Sequence, residues 1–244
     1  MSGHSKWANI KNKKGKTDAA RGKIFTKLGR ELAVAVKQGG PDPDGNSKLS
    51  DVIAKCKAAN MPNDNIARGI KKAAGELFNV NYEEVIYEGY GCGGAAVIVK
   101  ALTDNKNRTA GDIRHIFDKY GQGLGLTNCV SYMFEKKGLI VIERTKSLTE
   151  DIIMEYAIEG GADDVMTYDD VFEVYTAPNS LSSVRKFLES KNLAFLSAEV
   201  DMIPANIITL EGDNLVKFNK MLEMFDENDD VQNVYHNVNL PDEV

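Results

Sequence analysis

The hydrophobic period of this chain changes once, near residue 76, and that change constrains its fold more than any other feature of the 244 residues. Before it the apolar residues recur at helical spacing. Ile24, Phe25, Leu28, Leu32, Ala35 and Val36 fill an arc of about 120° at ~100° per residue. Lys23, Lys27, Arg30 and Lys37 fall on the other side and are expected to face outward. Thr17 or Asp18 is the expected N-cap, and Gly39-Gly40 the stop after Gln38. PDPDGNS reads as a turn. Leu49, Val52, Ile53 and Cys56 predict a second helix ending before Pro62. Asn63 or Asp64 is the expected cap of a third, in which Ile66, Ala67, Ile70 and Ala74 oppose Arg68, Lys71 and Lys72. Three short amphipathic helices with close turns predict a small bundle.

After Glu76 strand patterns alternate with helix patterns. EEVIYEGY and AAVIVKALT read as strands, TAGDIRHIFDKYG as a helix and VSYMFEKKG as a further strand. LIVIER then opens a regular series. Ser147 and Glu150 have the spacing of a capping box for SLTEDIIMEYAIEGG. DDVMTY and VFEVYT flank Asp169-Asp170 as a hairpin, APNSLSSVRKFLESK is a helix, and AFLSAEVDMI is a last strand. The order βαββαβ over residues 139–203 predicts a ferredoxin-like unit. NIITL, a helix around LVKFNKMLEMF and the strand VQNVYHNV supply what the unit begun at residue 77 lacks. The expected fold class is therefore α+β: an N-terminal three-helix bundle followed by two ferredoxin-like α/β domains, one inserted into the other. The expected borders are 1–76 for a basic helical nucleic-acid-binding domain, 77–138 with 204–244 for the discontinuous domain, and 139–203 for the inserted one.

Charge follows the same division. The chain carries a formal net charge of -6, yet residues 1–76 hold 16 Lys/Arg against 7 Asp/Glu, while the other 168 residues hold 14 against 29. A segment at +9 is thus joined to a remainder at -15. Clustered positive charge attracts polyanions, of which nucleic acid is the commonest in cytosol; a merely solvated Lys-rich helix surface is the alternative. Three scattered cysteines, Cys56, Cys92 and Cys129, suggest no disulfide framework and point to a reducing compartment. No apolar run approaches a membrane span, and no apolar h-region follows the basic N-terminus; the lysine-rich arm differs from Arg- and Ser-rich transit peptides.

The candidate motifs are few. Gly89, Gly91 and Gly94 match G-x-G-x-x-G, but a β-rich run follows where a dinucleotide site needs a helix, so a turn between strands is expected. Asp226, Asn228 and Asp230 have calcium-ligand spacing, but Val231 and Asn237 stand where the loop requires Gly and Glu. His4, His115 and His236 make no metal or triad spacing, and His115 reads as a partly buried helix residue. No nucleophile with a base and no cofactor motif is apparent, so no enzyme, metal or cofactor is expected. Residues 1–16 lack any period. Their Lys6, Lys11, Lys13, Lys14 and Lys16 can meet phosphates without sequence preference. Trp7, the single Trp, either stacks on an exposed base or packs on the helices. Lys106 and Arg108 precede a helix whose N-terminus could hold an anion.

GHSKWANIK, RGKIFTKLGREL, NMPNDNIARGIKKA, YEGYGCGG, LTDNKNRTAGDIR and MFEKKG resemble the YebC family, nearly end to end. That group includes the mitochondrial translational activator of cytochrome oxidase. The resemblance implies a helical N-terminal domain, two ferredoxin-like domains and a cytoplasmic, non-enzymatic protein. Members are described as probable DNA-binding transcriptional regulators, and some as translation factors at the ribosome. The sequence departs from the family pattern at Cys92, where proline is typical, and at Asn128-Cys129, where Gly-Ser is typical.

The expected function is a nucleic-acid-binding regulator of gene expression, a DNA-binding transcriptional regulator or, alternatively, a ribosome- or RNA-associated translational activator; an enzyme on a phosphorylated substrate and a pure protein adaptor are the remaining readings. Its contact residues are expected to be Lys6, Trp7, Lys11, Lys13, Lys14, Lys16, Arg21, Lys23, Lys27, Arg30, Arg68, Lys71 and Lys72. The acidic domains would repel phosphate and are expected to meet protein partners.

Overall fold

A computed structural model describes residues 18–75, 80–145 and 147–240, with side chains from Arg21 onward. The arm and the proposed caps at Thr17 or the Asp18 side chain lie outside these. Three helices come first: α1 (Asp18–Gly39), α2 (Ser47–Ala58) and α3 (Asn63–Ala74). Leu28, Leu32, Ala35 and Val36 are buried, as the α1 stripe requires. Asn46 caps α2, its side-chain oxygen accepting from the Leu49 N–H at 3.1 Å while its amide donates to the Ala35 and Gly40 carbonyls. α3 starts at Asn63 itself, directly after Pro62, so Asp64 lies in its first turn rather than at the cap. Its inward side is Ile66, Ile70 and Ala73; Ala67 and Ala74, expected inside, are exposed.

Two sheet domains follow. The first has β1 (Glu83–Gly91), β2 (Ala96–Thr103), α4 (Lys106–Tyr120) and β3 (Gly121–Leu124). Then β4 (Phe134–Glu143), α5 (Glu150–Gly160), β5 (Asp164–Thr167), β6 (Val171–Thr176), α6 (Leu181–Ser190) and β7 (Phe195–Pro204) form the inserted βαββαβ series. β8 (Ile208–Thr209), α7 (Gly212–Glu227), β9 (Val231–His236) and β10 (Val238–Asn239) return to the first domain. The inserted sheet has the order β5-β6-β4-β7, the ferredoxin-like arrangement. The other has the order β3-β1-β2-β9, with β1, β2, β3 and β9 antiparallel to their neighbours. β2, α4, β3, α7 and β9 hold the positions of a ferredoxin-like unit, and β1, which would follow β3 in the regular order, precedes β2 instead.

Three local readings change. FEKKG and LIVIE are one continuous strand, β4, while VSYM, expected in a strand, is instead the loop before it, with a 3-10 turn at Ser131–Met133. Glycine is required at 138 inside that strand because a Cβ there would collide with the Thr176 hydroxyl on the paired strand. The capping box does not form: α5 begins at Glu150 after Thr149, and Ser147 lies beside the Thr145 hydroxyl at 3.2 Å. α4 starts earlier than its apolar period, at Lys106, because Asn105 accepts from the Arg108 N–H and caps it.

The chain divides into two compact units. One comprises the chain up to Val34, Gly75–Glu135 and Ile203 onward; the other comprises Ala35–Ala74 and Lys136–Met202. In the first, Val97, Val99 and Val231 of the sheet pack on Ile113, Ile116 and Phe117 of α4 and on Phe218, Met221 and Phe225 of α7. In the second, Ile140, Ile142, Phe172 and Val174 pack on Ile153 and Ala157 of α5 and on Leu181, Val184 and Leu188 of α6. The helical segment is joined to this unit by polar contacts as well. Arg185 of α6, almost wholly buried, donates to Asp51 and Ser50 of α2, and Lys55 pairs with Glu199 at 3.0 Å.

Candidate nucleic-acid interface

The cationic residues expected to form one outward surface divide into two sorts. In α1, Arg21 and Lys23 are exposed. Lys27 and Arg30 are not outward, which corrects the helical-wheel reading. The Lys27 ammonium donates to the Asp226 carbonyl at 2.8 Å, at the end of α7. The Arg30 guanidinium donates to the Asp230 carboxylate and to the Leu102 carbonyl, and lies over the Tyr82 ring at 5.5 Å. A helical wheel assigns one buried stripe, whereas α1 has a second buried flank built on charge pairs.

Asp230 is the centre of that flank. It is 4% exposed. Its carboxylate accepts from Arg30 and from Arg108 of α4, the latter at 2.8 Å. The hydroxyls of Thr109 and Thr103 lie 2.7 and 3.2 Å from the same carboxylate. Burial alone would raise its pKa, but the hydrogen bonds from Arg108, Thr109 and Arg30 outweigh it and hold the pKa at about 2. DENDDV is therefore an anchor for α1 and α4, and Asp230 is not a calcium ligand in waiting. Arg108 is likewise committed, to Asp104 and Asp230, and Lys106 pairs with Glu83, so the first turn of α4 is satisfied from within. Among the described residues no three His, Cys, Asp or Glu side chains are grouped to hold a metal. His115 is exposed, against expectation, while His236 is fully buried against Phe218.

α3 keeps the expected surface. Arg68, Lys71 and Lys72 are all exposed, opposite its buried residues. Their spacing of three and four residues puts them on one helix face, where three cations can follow a phosphate backbone. Lys6, Trp7, Lys11, Lys13, Lys14 and Lys16 lie outside the described residues.

The Gly-rich segment is a turn, as expected. β1 passes through a 3-10 turn at Cys92–Gly94 into β2. Gly93 has φ 64°, and a Cβ there would come within 2.5 Å of Leu210, so two independent reasons require glycine. The Cys92 thiol donates to the Asn214 carbonyl at 2.9 Å.

One group escaped sequence reasoning. Glu88, central in β1 and 4% exposed, accepts backbone N–H bonds from Asn128, Val130 and Ser131 at 2.8–3.0 Å. Its own carbonyl accepts from the Gly125 N–H at 2.8 Å. The 125–131 loop is thus tied to a buried carboxylate. Asn128 has φ 66°, a left-handed conformation that asparagine tolerates best after glycine. Asn128 can thus stand where the family has Gly; nothing in the structure explains Cys129 in place of Ser. A single Glu within a strand pattern carries no signal of such a role.

Two family models cover nearly all of the chain: the TACO1/YebC N-terminal domain over residues 5–76 and the TACO1/YebC second and third domains over 82–238. The chain belongs to the TACO1/YebC family. It is 60% identical to a probable transcriptional regulatory protein of Acetivibrio thermocellus, over 97% of this chain and 98% of that one. It is 57% identical to another, of Hathewaya histolytica, over 99% and 98%. The fold is also that of a crystal structure of a conserved hypothetical protein from Aquifex aeolicus, with a TM-score of 0.82, 45% identity and 94% of each chain covered. No helix among the described residues is long and apolar enough to cross a membrane.

Proposed function

We propose that this protein is a non-enzymatic regulator of gene expression that binds nucleic acid through its basic N-terminal third. The carrying observation is the exposed Arg68, Lys71 and Lys72 face of α3, within a segment at +9 joined to a remainder at -15. Arg21, Lys23 and the lysines of residues 1–16 extend the same charge; Lys27 and Arg30 act indirectly, by holding α1 to Asp226 and Asp230. The bacterial relatives are named probable transcriptional regulatory proteins, which favours a transcriptional over a translational role. The acidic remainder is left to orient the molecule and to meet proteins.

The test is reversal of the α3 face. Arg68→Glu, Lys71→Glu and Lys72→Glu together change no buried group; because Lys71 and Lys72 lie in the last turn of α3, where acids oppose the helix dipole, the thermal melt should fall by only a few degrees and the protein should stay folded. Affinity for both duplex DNA and single-stranded RNA should fall at least tenfold, about 1.4 kcal/mol. Tighter binding of duplex promoter DNA by the unaltered protein supports a transcriptional role, and tighter binding of RNA a translational one. Undiminished binding by the reversed protein would overturn the assignment of the surface.

A further inference from the structure

We propose that the loop of residues 125–133 presents Tyr132 as a stacking platform for an unpaired nucleobase. The inference rests on the nucleic-acid-binding reading above and names a second contact, of different chemistry, in the sheet domain.

The loop holds apolar groups in water on an ordered frame. Leu126 is 85% exposed and Tyr132 76% exposed. Isolated exposed apolar side chains are common, but these stand on a segment that is rigidly built. Glu88 withdraws a carboxylate from solvent to accept three N–H groups of the loop, the last being that of Ser131, the neighbour of Tyr132. The Cys129 N–H closes a turn on the Leu126 carbonyl at 3.1 Å, and the Met133 N–H closes another on the Val130 carbonyl at 2.9 Å. Tyr90 of β1 donates its hydroxyl to the Cys129 carbonyl at 3.2 Å. A hydrogen bond with Tyr132 raises the pKa of the Tyr90 hydroxyl. The backbone on either side of Tyr132 is therefore held, by the bond from the Ser131 N–H to Glu88 and by that from the Met133 N–H to the Val130 carbonyl, with the ring left in solvent. A loop ordered before binding leaves only the side-chain rotamers of Tyr132 to be fixed on binding, which lowers the entropy lost at such a contact.

Charge selects the occupant. The remainder after residue 76 carries -15, yet no residue between Lys119 and Glu135 is charged. Glu88, the carboxylate that accepts from this loop, is buried behind its N–H donors. A phosphodiester strand meets no like charge from these residues themselves. An exposed aromatic ring in a neutral setting matches an unstacked base, which offers a π-face whatever its sequence. Stacked duplex bases offer no such face.

The experiment uses the full chain with single-stranded RNA carrying 2-aminopurine, and with duplex DNA. Tyr132→Ala should weaken the single-strand complex about tenfold and abolish the change in 2-aminopurine fluorescence, while duplex affinity stays the same. Tyr132→Trp should restore both. The dependence of binding on salt should be unchanged by either, because the same phosphates remain neutralised. The α3 reversal should do the opposite, reducing the salt dependence and leaving residual stacking. If the unaltered protein binds RNA with normal salt dependence and Tyr132→Ala is indistinguishable from it, the platform is refuted while the basic-surface reading stands; Tyr132 then belongs to a protein contact. If the unaltered protein binds neither nucleic acid, both fall.

Discussion

Replacing Asp230 should release α1 from its sheet domain. The carboxylate accepts from Arg30 and Arg108 and stands beside two threonine hydroxyls, with 4% of the residue exposed. Removing this partner should cost about 2–3 kcal/mol, below the range for a fully buried pair, since Arg30 stays largely desolvated while the half-exposed Arg108 regains water. The pKa gives an independent scale. Held at about 2 rather than 3.8, the ionised form is favoured by about 2 kcal/mol in the folded state. Because the folded pKa is the lower one, this contribution is complete above about pH 4 and is lost as the pH falls toward 2. A double-mutant cycle of Asp230→Ala, Arg30→Met and the pair isolates the α1 contact, for which we expect a coupling of about 1–2 kcal/mol, Arg108 remaining on the carboxylate in Arg30→Met. Calorimetry should show the first unit melting roughly 6–12 °C lower in Asp230→Ala. Hydrogen exchange should rise in residues 21–34 while β1 and β2 stay protected. A coupling below about 0.5 kcal/mol would refute the anchor, since distant sites add within that margin.

Two further outcomes can be checked directly. A fragment of residues 134–204, which takes in the whole of β4 and β7, should fold alone and give dispersed amide NMR signals; collapsed dispersion would show that the inserted domain depends on its neighbours. His236, buried and neutral with a pKa of about 4, must bind a proton on unfolding, so stability should decline by up to about 1.4 kcal/mol per pH unit as the pH falls from 6.5 toward 4. Urea unfolding of His236→Gln should lack that decline between pH 6.5 and 5.

The inserted domain was legible because its strands and helices alternate cleanly and Asp169-Asp170 marks the hairpin. β4 was not legible as one strand, because Gly138 and Lys136-Lys137 look like a break until the neighbouring Thr176 is in place. The apolar stripe of α1 was readable from its period; the inward Lys27 and Arg30 were not, because their acceptors lie about two hundred residues away. The acidic DENDDV loop was a visible complement to them, but composition cannot say which cation it meets. α3 shows the reverse case: its cations are where the period puts them, because the helix has a single polar face. Glu88 and the loop it holds had no signature, since three N–H donors from a turn leave no trace in the residue pattern.

The most direct measurement is a salt titration of duplex binding by the full chain. If the basic N-terminal third neutralises about four phosphates, log K should fall against log salt with a slope near -3.6. In the Arg68, Lys71 and Lys72 reversal the slope should shrink by about 2.7, one increment of about 0.9 for each phosphate that is no longer neutralised. A slope near zero in the unaltered protein, or one untouched by the reversal, would contradict binding through this surface.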